Sequence, residues 1–163
     1  VKVDRQMVEL DDELDLLDAY MELMCYRYPS LHCEYNIDPD LGGVQVPNFI
    51  LQPLVENSLL HGLKNKGYKG EVVISAQKSG EDMLVTIMDT GSGFAEGKKE
   101  QVNSLLANYA KQAAKLEGNS IGILNVQKRI KLLCGQKYGL WYAENEKCGV
   151  TAHLLMPCKE AGK

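Results

Sequence analysis

Asp89-Thr90-Gly91-Ser92-Gly93-Phe94 closes the stretch Met83-Leu84-Val85-Thr86-Ile87-Met88, and the two read together decide the fold. The apolar run has the composition of a strand, and an aspartate followed by two glycines marks its end. Glycine lets the backbone come close to a flat ligand, because no Cβ stands in the way. An Asp at that strand end can accept a hydrogen bond from an exocyclic amine. Taken alone, the same six residues read equally well as a tight turn closed by an Asx motif.

Outward from this point, residues 71–77 form a second strand, joined to the first by a hairpin loop over 78–82. Downstream, residues 91–120 are polar, Lys-rich and weakly amphipathic, the pattern of a mobile lid over a ligand. A helix over 122–133 follows, with Ile123, Val126, Ile130 and Leu133 inward and Lys128, Arg129 and Lys131 outward. Residues 137–143 and 150–156 are the closing strands. Upstream, Pro47 opens a helix through residue 60, with Leu51, Leu54, Val55 and Leu59 as its apolar stripe and Gly62 as its stop. Residues 33–37 alternate as a strand, and Asp38-Pro39-Asp40-Leu41-Gly42-Gly43 is a loop. A first helix covers 10–26, with Leu14, Leu17, Tyr20 and Met24 inward and an acidic face at Asp11, Asp12, Glu13 and Asp15. One layer of helices over a mixed sheet predicts a two-layer α/β sandwich with an N-terminal helix.

The 163 residues suffice for one domain with its own core, and 45% hydrophobic with 25% charged residues is an ordinary globular composition. A net charge of -4 argues against a nucleic-acid surface. Cys25, Cys33, Cys134, Cys148 and Cys158 are odd in number and form no CxxC pair, which fits reduced thiols in a cytoplasmic domain. No apolar run approaches the roughly 20 residues that span a bilayer. The chain starts at Val1 rather than Met, so we expect a piece of a longer protein, with any membrane contact made by the part upstream.

Two further places carry chemistry. On a helical wheel Asn57 and His61 lie together, one turn apart, opposite the apolar stripe. A mid-helix asparagine competes for backbone hydrogen bonds, and its amide oxygen suits a Mg2+ ion shared with phosphates. Each residue alone also reads as a solvated surface position. Gly118-Asn119-Ser120-Ile121-Gly122-Ile123-Leu124-Asn125 runs from a small-residue loop into a helix, whose first amides and dipole suit phosphate. It too reads alone as a plain loop-to-helix junction. No Gly-Lys-Ser/Thr follows, so it is not a P-loop, and no strand leads into the glycines as a dinucleotide fingerprint requires.

In order and spacing these stretches resemble the GHKL ATPase superfamily and, within it, the YesM/LytS-type sensor histidine kinases. Leu51-Gln52-Pro53-Leu54-Val55-Glu56-Asn57-Ser58-Leu59-Leu60-His61-Gly62 is similar to the family's N box, and Asp89 to Gly93 to its first G box. Ser120 to Ile130 resembles the second G box with its helix, and Gly149-Val150-Thr151 with Leu154-Leu155-Met156-Pro157 the closing strand. The resemblance implies the Bergerat-type ATP-binding fold, with ATP and Mg2+ as ligands. It implies Asn57 as the magnesium ligand, Asp89 as acceptor for the adenine amine, and Gly91, Gly93 and Phe94 around the base. Ser120, Ile121, Gly122, Ile123 and Leu124 would then meet the phosphates, with His61 and Thr151 beside the nucleotide and Glu56 assisting transfer.

The same resemblance divides the chain into a leading helix over 1–30, the tail of a dimerisation and phosphoacceptor region, and an ATP-binding domain over 31–163. Where ATP-hydrolysing relatives carry a general-base glutamate, this chain has Pro53. The expected acceptor is therefore a histidine in a separate helical domain, not water. His32, His61 and His153 do not match that motif, so the chain is expected to bind Mg-ATP without phosphorylating itself. Implied partners are that helical domain, a response regulator and a second copy of the full-length protein, with the parent in the bacterial plasma membrane. Leu60 where the family often has Lys (Lys64 or Lys66 could stand in), Ser120 for Gly, and Lys147-Cys148-Gly149-Val150 for Gly-x-Gly-Thr all point to weaker binding. The alternatives are a nucleotide-binding module without turnover and a serine kinase acting on an anti-sigma partner.

Overall fold

The computed structural model describes residues 6–112 and 120–162. Gly118-Asn119 and the end of the expected lid lie outside them. In chain order the elements are β1 (Met7–Glu9), α1 (Leu10–Arg27), β2 (Leu31–Ile37), β3 (Gln45–Pro47), α2 (Leu51–Asn57), β4 (Gly70–Ser79), β5 (Asp82–Asp89), α3 (Lys98–Ala107), α4 (Tyr109–Gln112), α5 (Ser120–Cys134), β6 (Gly139–Glu144) and β7 (Val150–Pro157).

Five strands form one sheet in the order β2-β4-β5-β7-β6. β2 and β4 run parallel and the other neighbours antiparallel, which makes the sheet mixed. Side chains alternate across each strand. Met83, Val85, Ile87 and Asp89 of β5 are buried, as are Val150, Ala152, Leu154 and Met156 of β7, while their neighbours are half-buried. This is a sheet with helices on one face, the expected sandwich. Leu10, Leu17 and Met21 of α1 join Leu51, Leu54, Val55, Ile123, Val126 and Ile130 in a single core.

The hairpin is tighter than the expected loop. Ser79 pairs with Asp82, so only Gly80-Glu81 turn, with Gly80 at φ 64°.

Two expectations are corrected, and a third segment gains detail. Pro47 does not open a helix: it ends β3, opposite Met7 of β1, and α2 starts at Leu51. Between them Phe49 takes φ 54°, off the helical path. On α1 the buried seam is Leu10, Glu13, Leu17 and Met21, with Leu14, Tyr20 and Met24 on its flank. Glu13 is therefore not part of the acidic outer face. Finally, much of the segment expected as a lid is helical. Val102 and Leu106 of α3 are buried, because an apolar pair four residues apart was enough to dock that helix.

Candidate functional site

Asp89 is fully buried at the end of β5. Its Oδ1 accepts from the Gly91 amide at 2.9 Å and the Val150 amide at 3.5 Å. Its Oδ2 has no hydrogen-bond partner among the described residues. Burial pushes the carboxyl up from its ordinary value, while the two amides, the Ser58 hydroxyl and Lys66 favour the charge. A buried carboxylate oxygen left open is costly. That oxygen has acceptor capacity to spare for a further donor.

The wall beside Asp89 is the end of α2. Beyond Asn57 the helix widens into a π turn, Ser58–Leu63, which adds a residue per turn and often marks function. Ser58 and Gly62, four residues apart, both meet Asp89. A Cβ on Gly62 would lie 2.8 Å from Asp89 Oδ1, so Gly62 gives clearance and is not a helix stop. In the same way a Cβ on Gly91 would lie 2.4 Å from the Gly62 carbonyl carbon. The Ser92 amide donates to that Gly62 carbonyl at 2.9 Å, tying the glycine loop to the helix. Gly93 sits at φ 76°.

Asn57 is half-buried, and its Nδ2 donates to the Tyr142 hydroxyl at 3.3 Å. His61 is exposed, and partial burial with Lys98 nearby lowers its pKa. Lys66 Nζ donates to the Thr90 carbonyl at 3.0 Å, so this lysine stands at the pocket edge. Phe94 meets the Tyr142 ring edge-on, at 5.7 Å between centroids.

Tyr142 lies on β6, the sheet edge, whose outward backbone groups are closed by two side chains. Asn103 accepts from the Tyr142 amide at 2.8 Å and donates to its carbonyl at 2.9 Å. Gln127 accepts from the Leu140 amide at 2.8 Å and donates to the Leu140 and Leu106 carbonyls at 3.4 and 3.1 Å. On the other side of Asp89, Asn145 Nδ2 donates to its backbone carbonyl at 2.9 Å.

The structure thus brings Asn57, Asp89, Gly91, Gly93 and Phe94 into one neighbourhood, with His61 on the same turn. Ser120, Ile121 and Gly122 form the first turn of α5, and nothing crowds Gly122. Ile123 and Leu124 have buried side chains, leaving only their backbone for a ligand. Thr151 does not join the group. It shares the open sheet face with Met88, its partner in the ladder, and donates to Asn145 Oδ1 at 2.5 Å. Glu56 is exposed and accepts from Gln52 Nε2 at 2.8 Å. Ser58, Tyr142, Asn103, Gln127 and Asn145 were not singled out in the sequence. Only Ser58, one residue beyond Asn57 and four before Gly62, left a periodic signal there.

Residues 47–160 match the family of histidine kinase-, DNA gyrase B- and HSP90-like ATPases. The chain belongs to that family. As a histidine kinase-like ATPase domain it is 29% identical, over 96% of its length, to the sensor protein LytS of Oceanobacillus iheyensis, and covers 26% of that relative. It is 26% identical, over 98% of its length, to the sensor histidine kinase YesM of Bacillus subtilis, and covers 25% of it. The domain therefore spans about a quarter of the curated relatives it matches. A solved histidine kinase, ThkA, in complex with the response regulator TrrA, shares the fold with a TM-score of 0.65 at 15% identity, over 96% of this chain and 42% of that one. This ATPase domain is the ATP-binding catalytic module of the sensor histidine kinase type, as its motifs implied. Among the described residues no helix is long and apolar enough to cross a membrane.

Proposed function

We propose that this domain holds Mg-ATP between the α2 π turn and the loop after β5 and donates the γ-phosphate to a histidine outside residues 1–163. One observation carries the reading. Asp89 Oδ2 is buried with no hydrogen-bond partner among the described residues, at the strand end where the adenine amine would supply a donor. Without Cβ atoms, Gly62 and Gly91 let the π turn, Asp89 and the glycine loop close against one another where the base would sit, with Phe94 beside them.

Among the described residues no three His, Cys, Asp or Glu side chains gather to hold a metal by themselves. Asn57 offers one oxygen, which suits Mg2+ that takes its other ligands from phosphates and water. When bound, the ion neutralises phosphate charge. The chain's own part is placement: Asp89 fixes the base, the α5 amides from Ser120 to Leu124 face the phosphates, and Lys66 adds positive charge. Positioning and charge neutralisation are what phosphoryl transfer asks of a protein. Pro53 supplies no base for water, which favours a protein acceptor over hydrolysis. Glu56, exposed and held by Gln52, is free to meet an incoming side chain.

We assign the acceptor to a helical domain of the same parent, with α1 as its continuation, a response regulator as the next acceptor and a homodimeric, membrane-bound parent. Calorimetric titration with Mg-ADP or a non-hydrolysable ATP analogue tests the pocket, and saturable binding is expected. Heat no different from buffer at millimolar nucleotide would sink the reading.

A further inference from the structure

The carboxamide of Asn57 can present either its oxygen or its nitrogen to the pocket, and a neighbour must decide which. That neighbour is Tyr142, whose hydroxyl accepts from Asn57 Nδ2 at 3.3 Å. Among the described residues Asn57 Oδ1 accepts nothing. Held by its nitrogen, the amide turns its oxygen to the other side.

Tyr142 is fit for this because it cannot move. It is 2% exposed, its ring meets Phe94 edge-on, and Asn103 of α3 holds both its amide and its carbonyl. A buried hydroxyl costs free energy unless it is hydrogen-bonded, and its only side-chain partner among the described residues is Asn57. Phenylalanine would fill the same space without that cost, so packing does not account for the oxygen.

We infer that Tyr142 is a positioning residue that sets the Asn57 carboxamide and, through it, the affinity of the nucleotide site for a divalent cation. This rests on the reading of Asn57 as the ion's protein ligand. It adds a residue on another element, and it links α3 to the ion site through Asn103.

The test compares ADP binding with Mg2+ and with EDTA, by calorimetry, for the wild-type chain and Tyr142→Phe. In the variant, metal-free ADP should bind within about twofold of wild type, while the gain from Mg2+ should fall about threefold to tenfold, the worth of one hydrogen bond. A wild type with no gain from Mg2+ would overturn the Asn57 reading and this inference with it. A normal gain in both proteins would overturn Tyr142 alone, and so would an equal loss with and without the ion. If Tyr142→Phe does not fold, NMR of asparagine-labelled wild type decides. One Asn57 Nδ2 proton should exchange with solvent at least about tenfold more slowly than exposed asparagine amides. Exchange at the same rate would refute the hydrogen bond that the inference needs.

Discussion

Glu13 of α1 caps the helix that carries Asn57: its Oε1 accepts from the Ile50 amide at 2.8 Å and its Oε2 from the Phe49 amide at 2.8 Å. The Leu51 amide also points to Oε1, at 3.5 Å. The free amides at the start of α2 are thus satisfied by a residue more than thirty positions away, and a carboxylate lies at the positive end of the helix. α1 is built into the ATP-binding unit at that end. At its other end Tyr28 stacks on Tyr68 at 3.9 Å, in the loop that also carries Lys66.

Glu13→Ala would leave buried amides without acceptors. We expect a loss of about 2–4 kcal/mol in urea unfolding, more than an ordinary surface cap contributes. Asp12→Ala, on the exposed side of the same turn, should stay within about 0.5 kcal/mol. Equal effects of the two changes would refute the capping role.

Gly62→Ala tests the clearance between the π turn and Asp89, the aspartate proposed to bind the base. The new Cβ would meet Asp89 Oδ1 at 2.8 Å and displace the carboxylate. Nucleotide affinity should drop by at least about tenfold, with a stability cost of about 1–3 kcal/mol from overpacking. Gly67→Ala has open space around it but a φ of 67°. It should cost stability through backbone strain alone and leave ADP affinity unchanged.

Asp89→Asn separates recognition from stability. Losing a charged acceptor for an amine should weaken ADP binding by about ten- to a hundredfold. Folding should respond in the opposite sense. Because burial raises the Asp89 pKa, the folded protein binds more protons than the unfolded chain just above the ordinary pKa. Stability contributed by this residue is then full below the unfolded value and falls as pH rises through the folded one. The variant should melt at or above wild type at pH 7, and the difference should shrink toward pH 4. A variant that melts well below wild type at pH 7 would contradict the sign.

What the sequence revealed follows from range. β5 with its Asp89-Gly91-Gly93 end, and α5 with Ile123, Val126 and Ile130, are written in local periodicity, which is why the sandwich and the cluster around Asp89 were legible. Glu13, Tyr142 and Asn145 were not, because each acts on residues far along the chain. Glu13 stands among Asp11, Asp12 and Asp15 and looks like one more surface acid until Phe49 and Ile50 reach it. Pro47 misled because a proline serves a helix start and an edge strand alike. Thr151 was assigned by its place after Gly149, and the strand's alternation carried its side chain to the other face.

The edge of β6 yields the last prediction. Open strand edges invite pairing with another chain unless covered, and here Asn103 and Gln127 cover Tyr142 and Leu140 as a neighbouring strand would. Gln127 is 4% exposed, so Gln127→Leu would bury an unpaired amide and two carbonyls and should cost about 2–3 kcal/mol. Asn103→Leu should cost less, since α3 keeps Val102 and Leu106, but it frees the Tyr142 backbone. Hydrogen exchange should then quicken at Tyr142 and along α3 while Leu140, still held by Gln127, stays protected. Uniform loss of protection across both residues would mean that the two side chains act as one clamp rather than two.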